Sequence, residues 1–193
     1  MQNIENFRVI NRIEKNIIIE SLLKISPKIS TILEKNNFNY YISFYESGVK
    51  VKFPLIFLVH NHLLKIIDNL EFKGNIISAG VYFGFIKKNN FLLSIEGAEF
   101  LQNINSFPEQ NQVIVNNDGE KAILYGNQIK AKMIMKISNK VEKNDVLLVF
   151  NKSNELICIA RSRMNIKDIQ NLKHNENIAL NLIDKGYYLR KKQ

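Results

Sequence analysis

The apolar and polar positions of the first half of the chain follow helical spacing, then alternate, then return to helical spacing. Residues 11–26 predict an amphipathic helix, and Pro27 predicts a restart into a second short helix. The alternation that follows predicts two strands joined near residues 46–48. Pro54 lies in the second of these strands. We expect that strand to be split or to lie at a sheet edge, because proline cannot donate a ladder hydrogen bond.

Helical spacing returns in residues 61–70, and the next apolar segments predict a hairpin that turns at Asn89-Asn90. A short helix from Gly97 to Leu101 is expected after it. The polar segment 105–112, which contains Pro108, has the composition of a domain boundary.

Beyond this boundary the segments are short and strand-like, and two helical turns interrupt them. Many short strands with few helices predict a compact mixed barrel. The predicted fold class is therefore α+β, with an N-terminal α/β domain that has an antiparallel sheet (residues 1–108). The second domain (residues 109–193) is predicted to be a mixed β pseudo-barrel.

Composition supports a folded protein of a reducing compartment. The chain of 193 residues is 46% hydrophobic, has a single cysteine, and contains no run of about 18 apolar residues that would span a membrane. Its first residues are polar and charged, unlike a signal peptide. We expect a cytoplasmic monomer with no membrane partner.

Positive charge is concentrated in the second domain. Residues 1–108 hold 12 Lys and Arg against 9 Asp and Glu, whereas residues 109–193 hold 15 against 9. A basic field of this kind attracts polyanions, which favours a nucleic-acid partner. The alternative is a lysine surplus that serves solubility alone.

Arg161 and Arg163 are the strongest candidates for contacts to RNA. They stand two apart on a predicted strand, so they share a face, about 6.6 Å apart by strand geometry. That spacing suits successive phosphates of a single strand. The alternative is a solvated edge strand, since such edges commonly carry charge.

The tetrapeptide LYGN (residues 124–127) predicts the end of a short helix, with Gly126 at the left-handed position after the cap. Backbone shape alone explains this glycine. The segment that follows would present Lys130 and Lys132 to a ligand.

The end of the chain, GYYLRKK, is predicted to be a strand. Alternation places Tyr188 and Arg190 on one side of it. Tyr188 could stack on a base or pack in the core, and Arg190 could hold a phosphate with both of its terminal nitrogens.

Catalysis finds little support in the sequence. Cys158 lies between two isoleucines and is interpreted as a small buried hydrophobe. His60 and His62 have no cysteine nearby that would complete a zinc site. We therefore expect no enzyme activity, no metal and no cofactor.

The segments GVYFGFIKKNNFLLSIEGAEFL, LYGN and GYYLR together resemble the Nip-seven family of large-ribosomal-subunit biogenesis factors, whose C-terminal part is a PUA domain. The resemblance runs from about Pro54 to Arg190. Where relatives often carry an acid before the terminal strand, this chain has Lys185, which would strengthen anion binding.

The resemblance implies a PUA-like C-terminal domain that binds pre-rRNA, with a preference for single strands rich in uridine or adenine. It also implies an N-terminal domain that contacts ribosome biogenesis proteins or the exosome, and a nucleolar location in eukaryotic relatives. Two alternatives stay open: an RNA-modifying enzyme or its accessory subunit, and an adaptor that binds only proteins.

Overall fold

The computed structural model describes residues 7–46, 49–68, 76–169 and 174–190. Within this part, residues 45, 46, 49, 68, 168, 169, 188 and 189 are described by their backbone alone. The chain separates into two compact units, Met1–Ser106 and Phe107–Gln193.

The first unit is a five-stranded antiparallel sheet with helices. The strands follow the order β1-β2-β3-β4-β5. The elements are β1 (Phe7–Val9), α1 (Arg12–Leu23), α2 (Lys28–Lys35), β2 (Phe38–Glu46), β3 (Val49–His60), α3 (Asn61–Asp68), β4 (Val81–Lys87), β5 (Asn90–Leu93) and α4 (Ile95–Asn103).

Helix α1 begins with a capping box. The Asn11 side chain accepts from the N–H of Glu14, and the Glu14 carboxylate accepts from the N–H of Asn11. The helix buries Ile18 and Leu22 completely. Together with the following α2, it confirms the two helices predicted from spacing.

The expectation that Pro54 marks a split or edge strand is wrong. β3 runs unbroken through Pro54, and it is the central strand of the sheet. The proline is tolerated because the β2–β3 register shifts beside it: Ser43 pairs with Leu55, whereas Tyr45 pairs with Lys50. Where the β2–β3 pairing is irregular, no ladder hydrogen bond is needed from the N–H that proline lacks.

The predicted hairpin is present as β4 and β5, with its turn one residue earlier than expected. Lys87 pairs with Asn90, and the two turn residues, Lys88 and Asn89, both have positive φ. Two left-handed residues form the turn that matches the twist of a tight hairpin.

The second unit is a six-stranded mixed sheet with the order β7-β11-β10-β9-β6-β8, in which β6 and β9 run parallel. It curves into a nearly closed barrel. Its elements are β6 (Gln112–Val115), α5 (Asn117–Leu124), β7 (Ile129–Lys130), β8 (Ile134–Ile137), β9 (Val146–Phe150), β10 (Leu156–Ser162), α6 (Ile166–Ile169), β11 (Asn177–Asp184) and α7 (Tyr187–Arg190).

Strands β9 and β10 supply much of the barrel core. Leu147 and Val149 of β9 belong to the buried core cluster of this unit, as do Ile157, Cys158 and Ala160 of β10. The α+β class, the antiparallel first sheet and the mixed barrel were all predicted from the sequence, and all three are confirmed. Among the described residues, no helix has the length and apolar character needed to cross a membrane.

Candidate nucleic-acid interface

Arg161 and Arg163 lie at the carboxyl end of β10, and both side chains are exposed. Ser162 between them is buried, which is the order that strand alternation predicts. β10 ends at Ser162, but the Arg163 N–H still donates to the Ile178 carbonyl of β11 at 2.9 Å. The pairing of β10 with β11 therefore continues through Arg163 and includes both arginines.

Lys130 and Lys132 lie across β11 from these arginines. Lys130 ends β7 and pairs with Asn177, the first residue of β11. The N–H of Lys132 donates to the His174 carbonyl at 3.0 Å. Because β11 lies between β7 and β10 and strands are about 4.8 Å apart, the backbones at Lys130 and Arg163 are roughly 10 Å apart.

We call Lys130, Lys132, Arg161 and Arg163 the basic end of the barrel. Three of these side chains are exposed and Lys130 is half-buried. In the described part of the chain, ion pairs join Arg8 to Glu14, Lys15 to Glu34 and Arg190 to Asp184, and none involves the basic end. These four cations are therefore available to an external anion.

The structure adds two lysines that sequence reasoning missed. The Lys143 N–H donates to the Asn165 side chain at 3.0 Å, and Lys167 follows in α6. Both side chains are exposed. Hydrogen bonds between loops bring them beside Arg163. The sequence signal for Lys143 was the density of lysines in residues 130–143.

Among the described side chains, the carboxylates of Glu142, Asp145 and Glu176 belong to the same end of the barrel. The Asp145 carboxylate accepts from the N–H of Glu142 at 2.9 Å, and Glu176 is half-buried beside β7. The four cations of the basic end, together with Lys143 and Lys167, outnumber these carboxylates. The local field therefore stays positive.

The predicted terminal strand is wrong, because Tyr187–Arg190 form a short helix, α7. Strand alternation therefore does not determine which way the Arg190 side chain points. Its Nη1 and Nη2 donate to Oδ1 and Oδ2 of Asp184, each at 3.0 Å, and Nη1 also donates to the Leu124 carbonyl. The hydrogen bonds to Asp184 raise the pKa of Arg190. This guanidinium is engaged within the protein and is not free to hold a phosphate.

Lys185 and Tyr188 lie with Arg190 at the opposite end of β11. That strand is eight residues long, so its ends are roughly 23 Å apart. The Lys185 N–H donates to the Ile157 carbonyl at 3.0 Å, and the side chain of Tyr188 is outside the described part of the structure. The seven predicted residues consequently do not form one continuous surface.

The LYGN turn and the end of the chain are in direct contact. The Gly126 N–H donates to the Ile123 carbonyl and the Asn127 N–H to the Ala122 carbonyl, with φ of +87° at Gly126. These bonds form the predicted left-handed helix end, here a Schellman motif. A side chain on Gly186 would collide with the Leu124 carbonyl. The two segments that suggested an RNA-facing surface therefore hold each other in place.

Nothing in the described residues groups three or more potential metal ligands. Cys158 is fully buried, and this burial, together with the charge of Asp184, raises the pKa of its thiol. The prediction that it is a buried hydrophobe is confirmed. His60 and His62 stack on each other with ring centroids 5.1 Å apart.

Comparison with known families identifies the second unit. Residues 111–193 match the family model of the UPF0113 PUA domain. A UPF0113 protein of Archaeoglobus fulgidus is 36% identical over 112 residues, which cover 58% of this chain. The matched part spans 61% of the length of that relative.

Similar solved structures extend over nearly the whole chain. A PUA domain protein from Thermoplasma acidophilum has a TM-score of 0.59 at 16% identity and covers 96% of this chain and 98% of its own. A hypothetical protein from Pyrococcus horikoshii has a TM-score of 0.60 at 13% identity, with coverage of 95% and 98%. A PUA domain structure from Aeropyrum pernix has a TM-score of 0.62 at 11% identity, with coverage of 95% and 88%.

At these identities the structural likeness shows the fold. The family match falls within the second unit, and the likeness in fold extends over nearly the whole chain. The unit Phe107–Gln193 is therefore a PUA-like domain, and residues 111–193 within it match the UPF0113 PUA family.

Proposed function

We propose that this protein is a non-catalytic RNA-binding factor that acts in pre-rRNA processing and assembly of the large ribosomal subunit. PUA domains bind RNA, and residues 111–193 match one. The basic end of the barrel would hold the phosphate backbone, and affinity would come from charge more than from base contacts.

The basic end is the observation that supports this proposal most. Arg161 and Arg163 are exposed on either side of a buried serine, and Lys130 and Lys132 lie across one strand from them. Two residues along a strand span about 6.6 Å, which suits neighbouring phosphates of a single strand. An arginine can hold a phosphate with two parallel hydrogen bonds, whereas a lysine adds a point charge.

The finer parts of the proposal rest on the resemblance to the Nip-seven family. They are a single-stranded RNA rich in uridine or adenine within pre-rRNA, and protein partners among biogenesis factors and the exosome. In this proposal the N-terminal unit contacts those proteins.

Replacing both arginines with glutamate tests the binding site. RNA binding of the R161E/R163E variant is compared with that of wild type on a fluorescein-labelled 20-nucleotide oligouridine at 0.1 M salt. Losing two phosphate contacts on a single strand lowers the slope of log Kobs against log salt by about 1.4. If these contacts contribute nothing at 1 M salt, their loss raises Kd by at least ~25-fold at 0.1 M salt. The added negative charges increase the loss further.

The matched control is K121E/K152E, which makes the same change in net charge at exposed positions of α5 and the β9–β10 turn. We expect this control to weaken binding far less than R161E/R163E does. Equal losses in both variants would remove the basic end as the site. A wild-type protein whose RNA binding ignores salt would overturn the proposed function itself.

Crosslinking the protein to RNA in cells and sequencing the attached fragments tests the biological part of the proposal. We expect fragments of the large-subunit rRNA precursor to be enriched over fragments of mature messenger RNA. Depletion of the protein should lead to accumulation of unprocessed precursor. Fragments spread evenly over cellular RNA would argue against a role in ribosome assembly.

A further inference from the structure

The first unit carries a second concentration of positive charge, far from the basic end in sequence. Lys50 and Lys52 lie in the first half of β3, and Lys87 and Lys88 lie at the end of β4 and in the turn after it. All four side chains are exposed. We call them the lysine patch.

The sheet register brings these segments side by side. Leu55 of β3 pairs with Phe85 of β4. Two residues further out on each strand stand Phe53 and Lys87, so the lysines of β3 and β4 meet at the same end of the sheet.

Aromatic rings hold two of the lysines in place. Phe53 and Phe85 stack with centroids 5.9 Å apart. The Lys52 Nζ lies 5.6 Å from the Phe53 ring centroid, and the Lys87 Nζ lies 5.0 Å from the same centroid. Attraction between ammonium groups and a ring restrains the side chains without neutralising their charge. Two like charges kept close to one ring raise the local positive potential.

The segments that carry the lysine patch contain no acidic residue. Residues 49–60 and 81–94 contain these four lysines and no aspartate or glutamate. The nearest acid along the ladder is Glu46, which pairs with Val49 through the backbone. Within the described residues, no ion pair involves the four lysines, whereas the arginine of β1 is paired with Glu14.

Among the described residues, β3, β4 and β5 expose no large hydrophobic side chain, and Phe53 and Phe85 of this surface are half-buried. The large exposed hydrophobic side chains of the described first unit are Val9, Ile13, Leu23 and Ile66, and none belongs to β3, β4 or β5. Protein interfaces are depleted in lysine and are centred on apolar or aromatic side chains. A cluster of exposed ammonium groups around half-buried rings, with no exposed apolar side chain at its centre, is complementary to a phosphate backbone.

We propose that the lysine patch is a second binding surface for the phosphate backbone of RNA, on the unit that does not contain the PUA-like domain. The patch contacts phosphates and reads no bases. The proposal rests on the proposed function only for the identity of the polyanion.

The test measures RNA affinity over a range of salt concentrations with the full chain. The variants are wild type, K52Q/K87Q, R161E/R163E and the combination of the two pairs. The probe is the labelled 20-nucleotide oligouridine. Removing two lysine contacts should lower the salt slope by about 1.4 and raise Kd by ~25-fold at 0.1 M salt.

Matched controls separate a local effect from a general loss of charge or structure. K24Q/K28Q removes the same charge from exposed positions around the α1–α2 connection and should leave the slope unchanged. K50Q/K88Q removes the other two lysines of the patch, which lie over no aromatic ring among the described residues. It should reproduce the effect if K52Q/K87Q proves to unfold. Circular dichroism and the melting temperature report on folding.

Each outcome has a defined meaning. A lower slope in K52Q/K87Q, with the control at the wild-type value, supports the lysine patch as an RNA surface. An unchanged slope in both patch variants overturns it. Polyglutamate serves as a second probe, standing for an acidic protein. If K52Q/K87Q loses polyglutamate binding and keeps RNA binding, the patch binds an acidic protein and the proposal is overturned. If R161E/R163E binds normally and K52Q/K87Q does not, the basic end fails while the patch stands.

Discussion

At the scale of single residues, the role of each arginine depends on whether a carboxylate lies within reach. Arg190 donates to both oxygens of the buried Asp184, and Arg8 donates to both oxygens of Glu14. Arg161 and Arg163 have no such partner among the described residues. Two of these arginines therefore stabilise the protein, and the other two remain available to a ligand.

Replacing Arg190 with alanine should change RNA affinity by less than about twofold, because this guanidinium makes no phosphate contact that could be lost. The melting temperature should fall, since Asp184 would lose its charged donor while staying buried. Filter binding and thermal unfolding measure the two effects, with R161A as the comparison. A loss of affinity as large as that of R161A would contradict this assignment.

The Arg8–Glu14 pair predicts a dependence of stability on pH. Burial pushes the pKa of Glu14 upward, but the hydrogen bonds from Arg8 and from the Asn11 N–H, with the Arg8 charge, hold it below 4.5. A carboxyl whose pKa is lower in the folded state stabilises the fold above its unfolded pKa. That stabilisation is lost as the pH falls through the folded value.

Urea unfolding of wild type and E14Q between pH 3 and pH 7 measures this contribution. We expect the variant to be less stable by about 1 kcal/mol at pH 7, the upper end for a partly exposed pair with two parallel bonds. The difference should shrink below pH 4.5 as the wild-type carboxyl gains its proton. A difference that stays constant down to pH 3 would show that the pair does not act through charge.

At the scale of elements, the helix end at LYGN and helix α7 form one structural unit. The Schellman bonds of Gly126 present the Leu124 carbonyl, and that carbonyl accepts from Arg190. Asn181 of β11 adds a hydrogen bond from its side chain to the Ile123 carbonyl at 3.2 Å. The short α7 is thereby fixed by contacts to distant residues, since four residues cannot form a stable helix alone.

Glycine substitutions in this unit should rank by physical cause. G186A should cost the most, about 2–3 kcal/mol, because the added methyl group meets a backbone carbonyl that cannot move aside. G126A should cost about 1–2 kcal/mol, the penalty for a side chain in the left-handed region. G126N should cost less than G126A, because asparagine tolerates that region. Urea unfolding gives the ranking, and equal costs for the two alanine variants would contradict it.

At the scale of the whole molecule, two clusters of cations are exposed and take part in no ion pair among the described residues. The basic end lies in the second unit and the lysine patch in the first, while Arg190 is part of the packing at the opposite end of β11. The net charge of +9 is therefore not one uniform field. Each surface contributes separately to the attraction of a polyanion.

The salt dependence of RNA binding by the wild-type protein should reveal how many of these surfaces act. Four contacts from the basic end alone predict a slope of log Kobs against log salt near −3 for a single strand. Two further contacts from the lysine patch bring the slope to about −4. Titrations from 0.05 to 0.5 M salt distinguish the two values. A slope nearer −1 would mean that charge contributes little and that neither surface holds the backbone.

The sequence by itself determined the fold class, most of the elements and the buried role of Cys158, although the terminal segment was wrongly predicted as a strand. Periodicity identified α1, α2 and the β4–β5 hairpin, and the capping preference of glycine identified the helix end at Gly126. These features depend on neighbours within a few residues, so they can be read locally.

Only the tertiary structure decided which cations share a surface. Arg190 was placed on a strand from its local pattern, but contacts with Asp184 and Leu124 make its segment a helix and engage its charge. Pro54 was expected to split its strand or to place it at a sheet edge, but a register shift against β2 accommodates it in an unbroken central strand. Lys143 joins the basic end through a hydrogen bond to a loop 22 residues away. Sequence patterns report local preference, whereas a charge is neutralised or left free by residues that only the folded chain brings together.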